Sequence, residues 1–297
     1  MPTSIAFVGL GIMGRPMASR LMEAGHSLRV HARRHESMAP LEEQGAQACT
    51  SPSAAADGAQ VIFVMVADTA DVEAVILGDR GVLAGASPGA VVVDMSTISP
   101  SATRAMARRL AEHDLTLLDA PVSGGEAGAR DGTLSIMVGG PGEALQQVRP
   151  LLEILGRQIV HIGDHGAGQV AKACNQLLVG QTIAAVAEAL LLARGAGVDP
   201  HKVREALLGG MAYSRILENH GQRMLSRDFQ PGFKSRLHRK DLRIALETAA
   251  EHGLALPGTA LASQYLNALQ GQDRGEQDSA AVVTLLEALN DLALESD

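Results

Sequence analysis

Short β-branched runs alternate with stretches of helical periodicity through the first half of the chain. IAFVG (5–9), LRVHA (28–32), VIFVMV (61–66), AVVVDM (90–95), LTLLDA (115–120), LSIMVGG (134–140) and QIVHIG (158–163) read as strands. Between them, RPMASRLMEAG (15–25), PSATRAMARRLAEH (100–113) and PGEALQQVRPLLEILG (141–156) repeat apolar residues at helical spacing, with Pro near a start or Gly at an end as stop signals. Strands alternating with helices predict a parallel, doubly wound sheet of Rossmann type.

After His161 the pattern changes. GAGQVAKACNQLLVGQTIAAVAEALLLARGAG (166–197) keeps Ala and Leu at helical spacing for about seven turns. PHKVREALL, SRILENHGQRML, HRKDLRIALETAAEHG, GTALASQYLNALQ and SAAVVTLLEALNDLA follow as further helices, with no strand alternation. The expected fold class is therefore α/β followed by all-α: a Rossmann domain over 1–163 and a helical substrate and oligomerisation domain over 164–297, joined by a long helix. A boundary there predicts a cleft between the halves, a common place for a substrate.

Composition narrows the function. At 46% hydrophobic and 20% charged residues the chain reads as soluble and globular, and no apolar run is expected to reach the length needed to cross a bilayer, so no membrane partner is predicted. Lys plus Arg number 25 against 33 Asp plus Glu, 25 − 33 = −8, so there is no basic excess for nucleic acid. Cys49 and Cys174 lie far apart without metal-ligand spacing, which suits a reducing, cytoplasmic setting and no zinc site. His161 and His165 flank Asp164 at a strand end, not on a helix face, so no metal is expected there. SIAFVGLGIMG has no basic residue before it and no cleavage site, and reads as a first strand, not a leader. The Ala- and Leu-rich helices carry more apolar surface than their domain needs, which points to a homo-oligomer.

Two glycine-rich segments carry the candidate chemistry. Gly9, Leu10, Gly11, Ile12, Met13 and Gly14 form GxGxxG between a strand and a helix. There the glycines permit a tight turn and close approach of a pyrophosphate to free N–H groups. A turn without a ligand would use the same glycines, but the strand, helix and second strand in sequence favour the dinucleotide. Val66, at the end of VIFVMV, is placed with these cofactor contacts. NAD would call for Asp or Glu at the end of the second strand. The chain has Ala32, Arg33 and Arg34 there, and two guanidinium groups suit a 2′-phosphate, so NADP(H) is expected to be preferred with NAD(H) possible. Solvated surface arginines are the alternative. In the second segment, Ser123, Gly124 and Gly125 follow the strand LTLLDA, where open α/β sheets bind ligands; a carboxylate pocket or a plain glycine-rich loop both fit.

FVGLGIMGRPMA (7–18), DAPVSGGEAGARDGTLSIMVGG (119–140), GAGQVAKACNQ (166–176) and LHRKDLRIAL (237–246) resemble, in order and spacing, the signature segments of the β-hydroxyacid dehydrogenases. The resemblance implies a Rossmann domain, a helical domain and a dimer or tetramer. It implies substrate binding by Ser123, Gly124 and Gly125, catalysis by Lys172 and Asn175, and cofactor contacts by Thr97 and Lys240. Gln176 stands where the family has a second Asn, and a substrate role is carried to it in that altered form. Phe233 is expected either to close the pocket or to sit in the core.

Lys172 lies in a mostly apolar stretch of helix, one turn from Asn175 and Gln176, so all three share a face. Reduction of an aldehyde places negative charge on its oxygen, which an ammonium stabilises and protonates; Lys172 is the expected general acid. Asn175 would hold Lys172 or a substrate hydroxyl. Glu126 after SGG and the run 209–242 are similar to the branch of the family that interconverts 2-hydroxy-3-oxopropanoate and D-glycerate. Tyr213, where that branch has a small residue, leaves open 3-hydroxyisobutyrate, glyoxylate and succinic semialdehyde. A non-catalytic dinucleotide-binding module is the reading from a different class, and the presence of Lys172 argues against it.

Overall fold

The computed structural model describes residues 4–294. By its internal contacts the chain divides into two compact units, one ending at Lys172 and the other starting at Ala173.

The first unit is built on β1 (Ser4–Val8), β2 (Ser27–His31), β3 (Gln47–Ala48), β4 (Val61–Val64), β5 (Val91–Asp94), β6 (Thr116–Asp119), β7 (Val122–Ser123), β8 (Leu134–Gly139) and β9 (Gly156–Gly163). Strand order is β3-β2-β1-β4-β5-β6-β8-β7, with β9 beside β8. Every pair from β3 to β6 is parallel. The chain moves outward from β1 to β2 and β3, then returns to place β4 on the other side of β1. That reversal is the switch point where open α/β sheets bind ligands. Register then puts Val8, His31, Val64, Asp94 and Asp119 in one row, so the loops that follow these residues leave from the same edge.

Helices α1 (Gly14–Glu23), α2 (Ala39–Glu42), α3 (Pro52–Ala56), α4 (Thr69–Leu77), α5 (Pro100–Ala111), α6 (Gly125–Asp131) and α7 (Gly142–Leu155) flank the sheet. Alternate strand residues feed two apolar layers. Phe7, Phe63 and Val93 join Leu21 and Leu152 in one; Val8, Ile62 and Val92 join Ile76 and Leu110 in the other. Covering on both faces explains why VIFV and VVVD are unbroken apolar runs. Phe7 and Phe63, paired across β1 and β4, stack with ring centroids 5.7 Å apart.

Two sequence expectations need correction in this unit. The sheet is not wholly parallel, because β8 runs antiparallel to β6 and β7. The segment after β6 is also more than a loop. It holds β7 and α6, whose Gly124, Gly125 and Gly128 weaken the helical signal. Arg20 secures the end of α6 by donating to the Arg130 carbonyl at 3.1 Å.

The second unit continues α8 (Ala167–Gly195) and adds α9 (Pro200–Leu208), α10 (Arg215–Leu225), α11 (Ser235–Glu251), α12 (Pro257–Gly271) and α13 (Val282–Asn290). Ile183, Leu190, Leu242, Leu269 and Val283 lie in its core. Helix α8 corrects a third expectation: it is long and apolar enough to cross a membrane by length and composition, although half of its most apolar stretch is buried within the protein. It also buries Gln169, Lys172 and Gln176. Polar side chains at that spacing suit a core helix better than a lipid-facing one.

Candidate functional site

The sheet's carboxyl edge gathers most of the predicted residues. Gly9 has φ +98°, and a Cβ on it would lie 2.2 Å from the Met65 carbonyl oxygen; a Cβ on Gly14 would lie 1.9 Å from the Gly9 oxygen. Only glycine permits this turn. Gly11, in contrast, is exposed and has open space where a Cβ would stand. The following helix α1 has Met13 at its N-cap position, with no side-chain cap and no acid in its first turn. Open space beside an uncapped helix start fits a pyrophosphate.

Neighbouring loops extend this surface. Arg33 and Arg34 are exposed beyond β2, and Arg33 lies 3.5 Å from Asp71 on α4. The Val66 N–H donates to Ser96 Oγ at 3.0 Å, tying the loop after β4 to the loop after β5 that carries Thr97. Ser123 ends β7 half-buried, and Gly124 (φ +140°) and Gly125 (φ +63°) follow it exposed. Glycine allows both positive φ values and leaves their N–H groups accessible to an anion.

Helix α8 starts against this edge. Asp119 accepts from the Gly166 N–H at 2.8 Å and the Gln169 N–H at 3.0 Å. Burial pushes its carboxyl above the ordinary carboxylate range, against the pull of those N–H groups. Gln169, 1% exposed, donates Nε2 to the Ser96 carbonyl at 2.8 Å and accepts from the Ile98 N–H at 3.0 Å. Lys172 follows one turn later, 7% exposed.

In the second unit, Asn175 Nδ2 donates to Gln176 Oε1 at 2.7 Å, and Gln176 Nε2 donates to Asp241 at 2.5 Å. The Lys240 ammonium lies 3.1 Å from the other Asp241 oxygen. Gln176 is 4% exposed, so its amide is committed to protein partners. Buried His238 bonds the Gln176 carbonyl at 3.2 Å and lies 5.7 Å from the half-buried Phe233 ring. The Gly232 and Phe233 N–H groups both donate to buried Asp278 at 3.0 Å. Tyr213 is exposed, its hydroxyl donating to Glu218 at 3.2 Å. Glu126 is paired with Arg130 at 3.4 Å.

Sequence reasoning missed Asp119, Gln169, Asp241 and Asp278 as parts of the site. Asp119 and Asp241 stand inside the quoted motifs, and an acid ending an apolar strand was the available signal for Asp119. Gln169 also stands inside a quoted motif, but neither it nor Asp278 carried a local signal, because each bonds groups remote in sequence.

The chain is similar to known dehydrogenases over nearly its whole length. A family model described as the NAD binding domain of 6-phosphogluconate dehydrogenase matches residues 4–163. Another, described as the NAD-binding region of NADP-dependent 3-hydroxyisobutyrate dehydrogenase, matches 166–286. The chain is 45% identical to 2-hydroxy-3-oxopropionate reductase of Escherichia coli strain K12, over 96% of this chain and 97% of that one. It is 42% identical to 3-hydroxyisobutyrate dehydrogenase of Pseudomonas aeruginosa, covering 93% and 95%. The solved structure of Mycobacterium tuberculosis 3-hydroxyisobutyrate dehydrogenase with L-serine superposes with a TM-score of 0.88 at 33% identity, covering 96% and 99%.

Proposed function

The chain belongs to the NAD(P)-dependent β-hydroxyacid dehydrogenase family, and we propose that within it the protein reduces 2-hydroxy-3-oxopropanoate to D-glycerate with NADPH. One observation carries this reading: the sheet edge that presents the phosphate turn and Ser123–Gly125 also anchors the first turns of α8, which bear buried Lys172. The identity to the Escherichia coli enzyme supports the substrate. Gly9–Gly14, Val66, Thr97 and Lys240 hold the cofactor, whose nicotinamide supplies hydride when bound. Ser123, Gly124 and Gly125 hold the substrate carboxylate, with Phe233 at the pocket. Lys172 stabilises the aldehyde oxygen and protonates it, while Asn175, braced by Gln176, orients the reacting groups. The division at 163/164 into cofactor and substrate domains, a dimer or tetramer, and a cytoplasmic location belong to the same proposal. Exposed Leu178, Leu192, Leu261 and Leu289 support an oligomer, and the two free thiols support a reducing setting.

Initial rates on 2-hydroxy-3-oxopropanoate, 3-hydroxyisobutyrate, glyoxylate and succinic semialdehyde, each with the appropriate phosphorylated and unphosphorylated nicotinamide cofactor, test the assignment. Highest kcat/KM on the first with NADPH is expected, and highest efficiency on another compound overturns the substrate. Replacing Arg33 and Arg34 by Ala should lower kcat/KM for NADPH by about 10- to 100-fold and leave NADH nearly unchanged, the loss of charged phosphate contacts. A wild-type preference for NADH refutes that reading.

Ser123→Ala should raise KM for the aldehyde acid about tenfold, the size of one lost hydrogen bond to a charged group. KM for NADPH should hardly move. Equal rises in both would place Ser123 outside the carboxylate pocket.

A further inference from the structure

We propose that Asp119 and Gln169 are positioning residues for Lys172: together they fix the first turns of α8 to the ends of β6 and β5, and so set where the ammonium stands. This deepens the proposed function and rests on Lys172 being the general acid.

The two clamps hold the helix start through different groups. Asp119 takes the Gly166 and Gln169 N–H groups, one on each carboxylate oxygen. These donors belong to the turn that leads into Lys172. There is no slack around this contact. A Cβ on Gly139 would lie 2.6 Å from an Asp119 carboxylate oxygen, and one on Gly168 would lie 2.4 Å from the Met137 carbonyl oxygen. The helix start therefore presses directly on β6 and β8. Gln169 supplies the second clamp. Its carboxamide bonds the Ser96 carbonyl and the Ile98 N–H, the groups on either side of Thr97, as a neighbouring strand would. One end of α8 is thus tied both to the strand leading into Ser123–Gly125 and to the loop carrying Thr97.

The chemistry explains why such bracing matters. Lysine has a long stem with many rotamers, and a general acid works only within hydrogen-bond reach of the oxygen it protonates. Fixing the backbone under Lys172 sets where that stem begins before substrate arrives, so that fewer of its rotamers miss the oxygen. Both clamps are buried, and the groups they bond are backbone groups at the site's own edge, so holding the helix start is what their side chains do.

Asp119→Asn and Gln169→Glu are nearly isosteric tests. In the first, the amide offers one acceptor where two N–H groups need one each. In the second, a carboxylate oxygen faces the Ser96 carbonyl that formerly accepted. Each should lower kcat about tenfold, the scale of a small misplacement of a catalytic group. For Asp119→Asn, the dissociation constant of NADPH, read by its fluorescence, should stay within about twofold, since the phosphate turn is untouched.

The deciding measurement repeats both substitutions in a Lys172→Met background. Residues that act through Lys172 should there change the residual turnover by less than about twofold. Equal fractional losses in both backgrounds, or unchanged kcat in a folded single variant, overturns the inference. If Asp119→Asn fails to fold, Gln169→Glu and Gln169→Met decide it by the same cycle. Full turnover by Lys172→Met itself overturns the reading of Lys172, a result distinct from failure of the clamps.

Discussion

Lys172→Met should lose at least about 10²- to 10⁴-fold in turnover, the usual share of general acid catalysis, while NADPH binding stays near normal. Methionine keeps the length and apolar stem of lysine and removes only the ammonium. Lys172 is 7% exposed, and the flexible thioether of methionine adapts to the space its stem fills. A loss of turnover with intact folding and cofactor affinity then isolates the proton donor. In the oxidation direction the proposed role has Lys172 accept the proton, so it must begin neutral. Alcohol oxidation should consequently rise toward alkaline pH more steeply than aldehyde reduction, and this difference should vanish in Lys172→Met. Retention of most activity by the variant would remove Lys172 from the mechanism.

What made Lys172 legible was its conflict with its surroundings: a cation in an apolar stretch of helix. The phosphate turn was legible for a similar reason, since Gly9 and Gly14 occupy places that no side chain fits. Helices with a strong apolar period, such as α5 and α11, were also readable from local sequence. Short elements were not. Helix α6 and strand β7 owe their form to pairing with β8 and to the Arg20 contact, which no local periodicity encodes. Nor could the sequence show that Gln176 spends its amide on Asn175 and Asp241, or that Arg33 stands beside Asp71. Such partners are chosen by tertiary register. Residues that bind backbone groups far along the chain are therefore the systematic gap in a sequence reading, and Asp119, Gln169 and Asp278 all fall in it.

Asp278→Ala should cost roughly 3–5 kcal/mol, the penalty for removing one partner from a buried charged cluster. One Asp278 oxygen accepts from the Ala280 N–H at 3.0 Å. The other accepts from the Gly232 and Phe233 N–H groups, also at 3.0 Å. Arg223 at 3.7 Å and His220 at 3.8 Å complete the surroundings. Alanine leaves three backbone donors and a guanidinium without this acceptor, and frees the loop that sets Phe233. Hydrogen exchange at Gly232, Phe233 and Ala280 should accelerate well before the rest of the helical unit opens. The same cluster sets a pH dependence. Burial lowers the His220 pKa more than Asp278 raises it, so folding favours the neutral ring. Its contribution to stability is complete above the unfolded histidine range and is lost as pH falls through the folded value. Denaturation of the wild type should thus become easier as pH falls below about 7, where the unfolded histidine begins to take up its proton. Without the Asp278 charge the His220 pKa drops further, and the variant's loss should continue to lower pH. Unfolding free energies within about 1 kcal/mol of wild type, below the cost of one orphaned buried donor, would show that the loop bearing Phe233 is held by something other than Asp278.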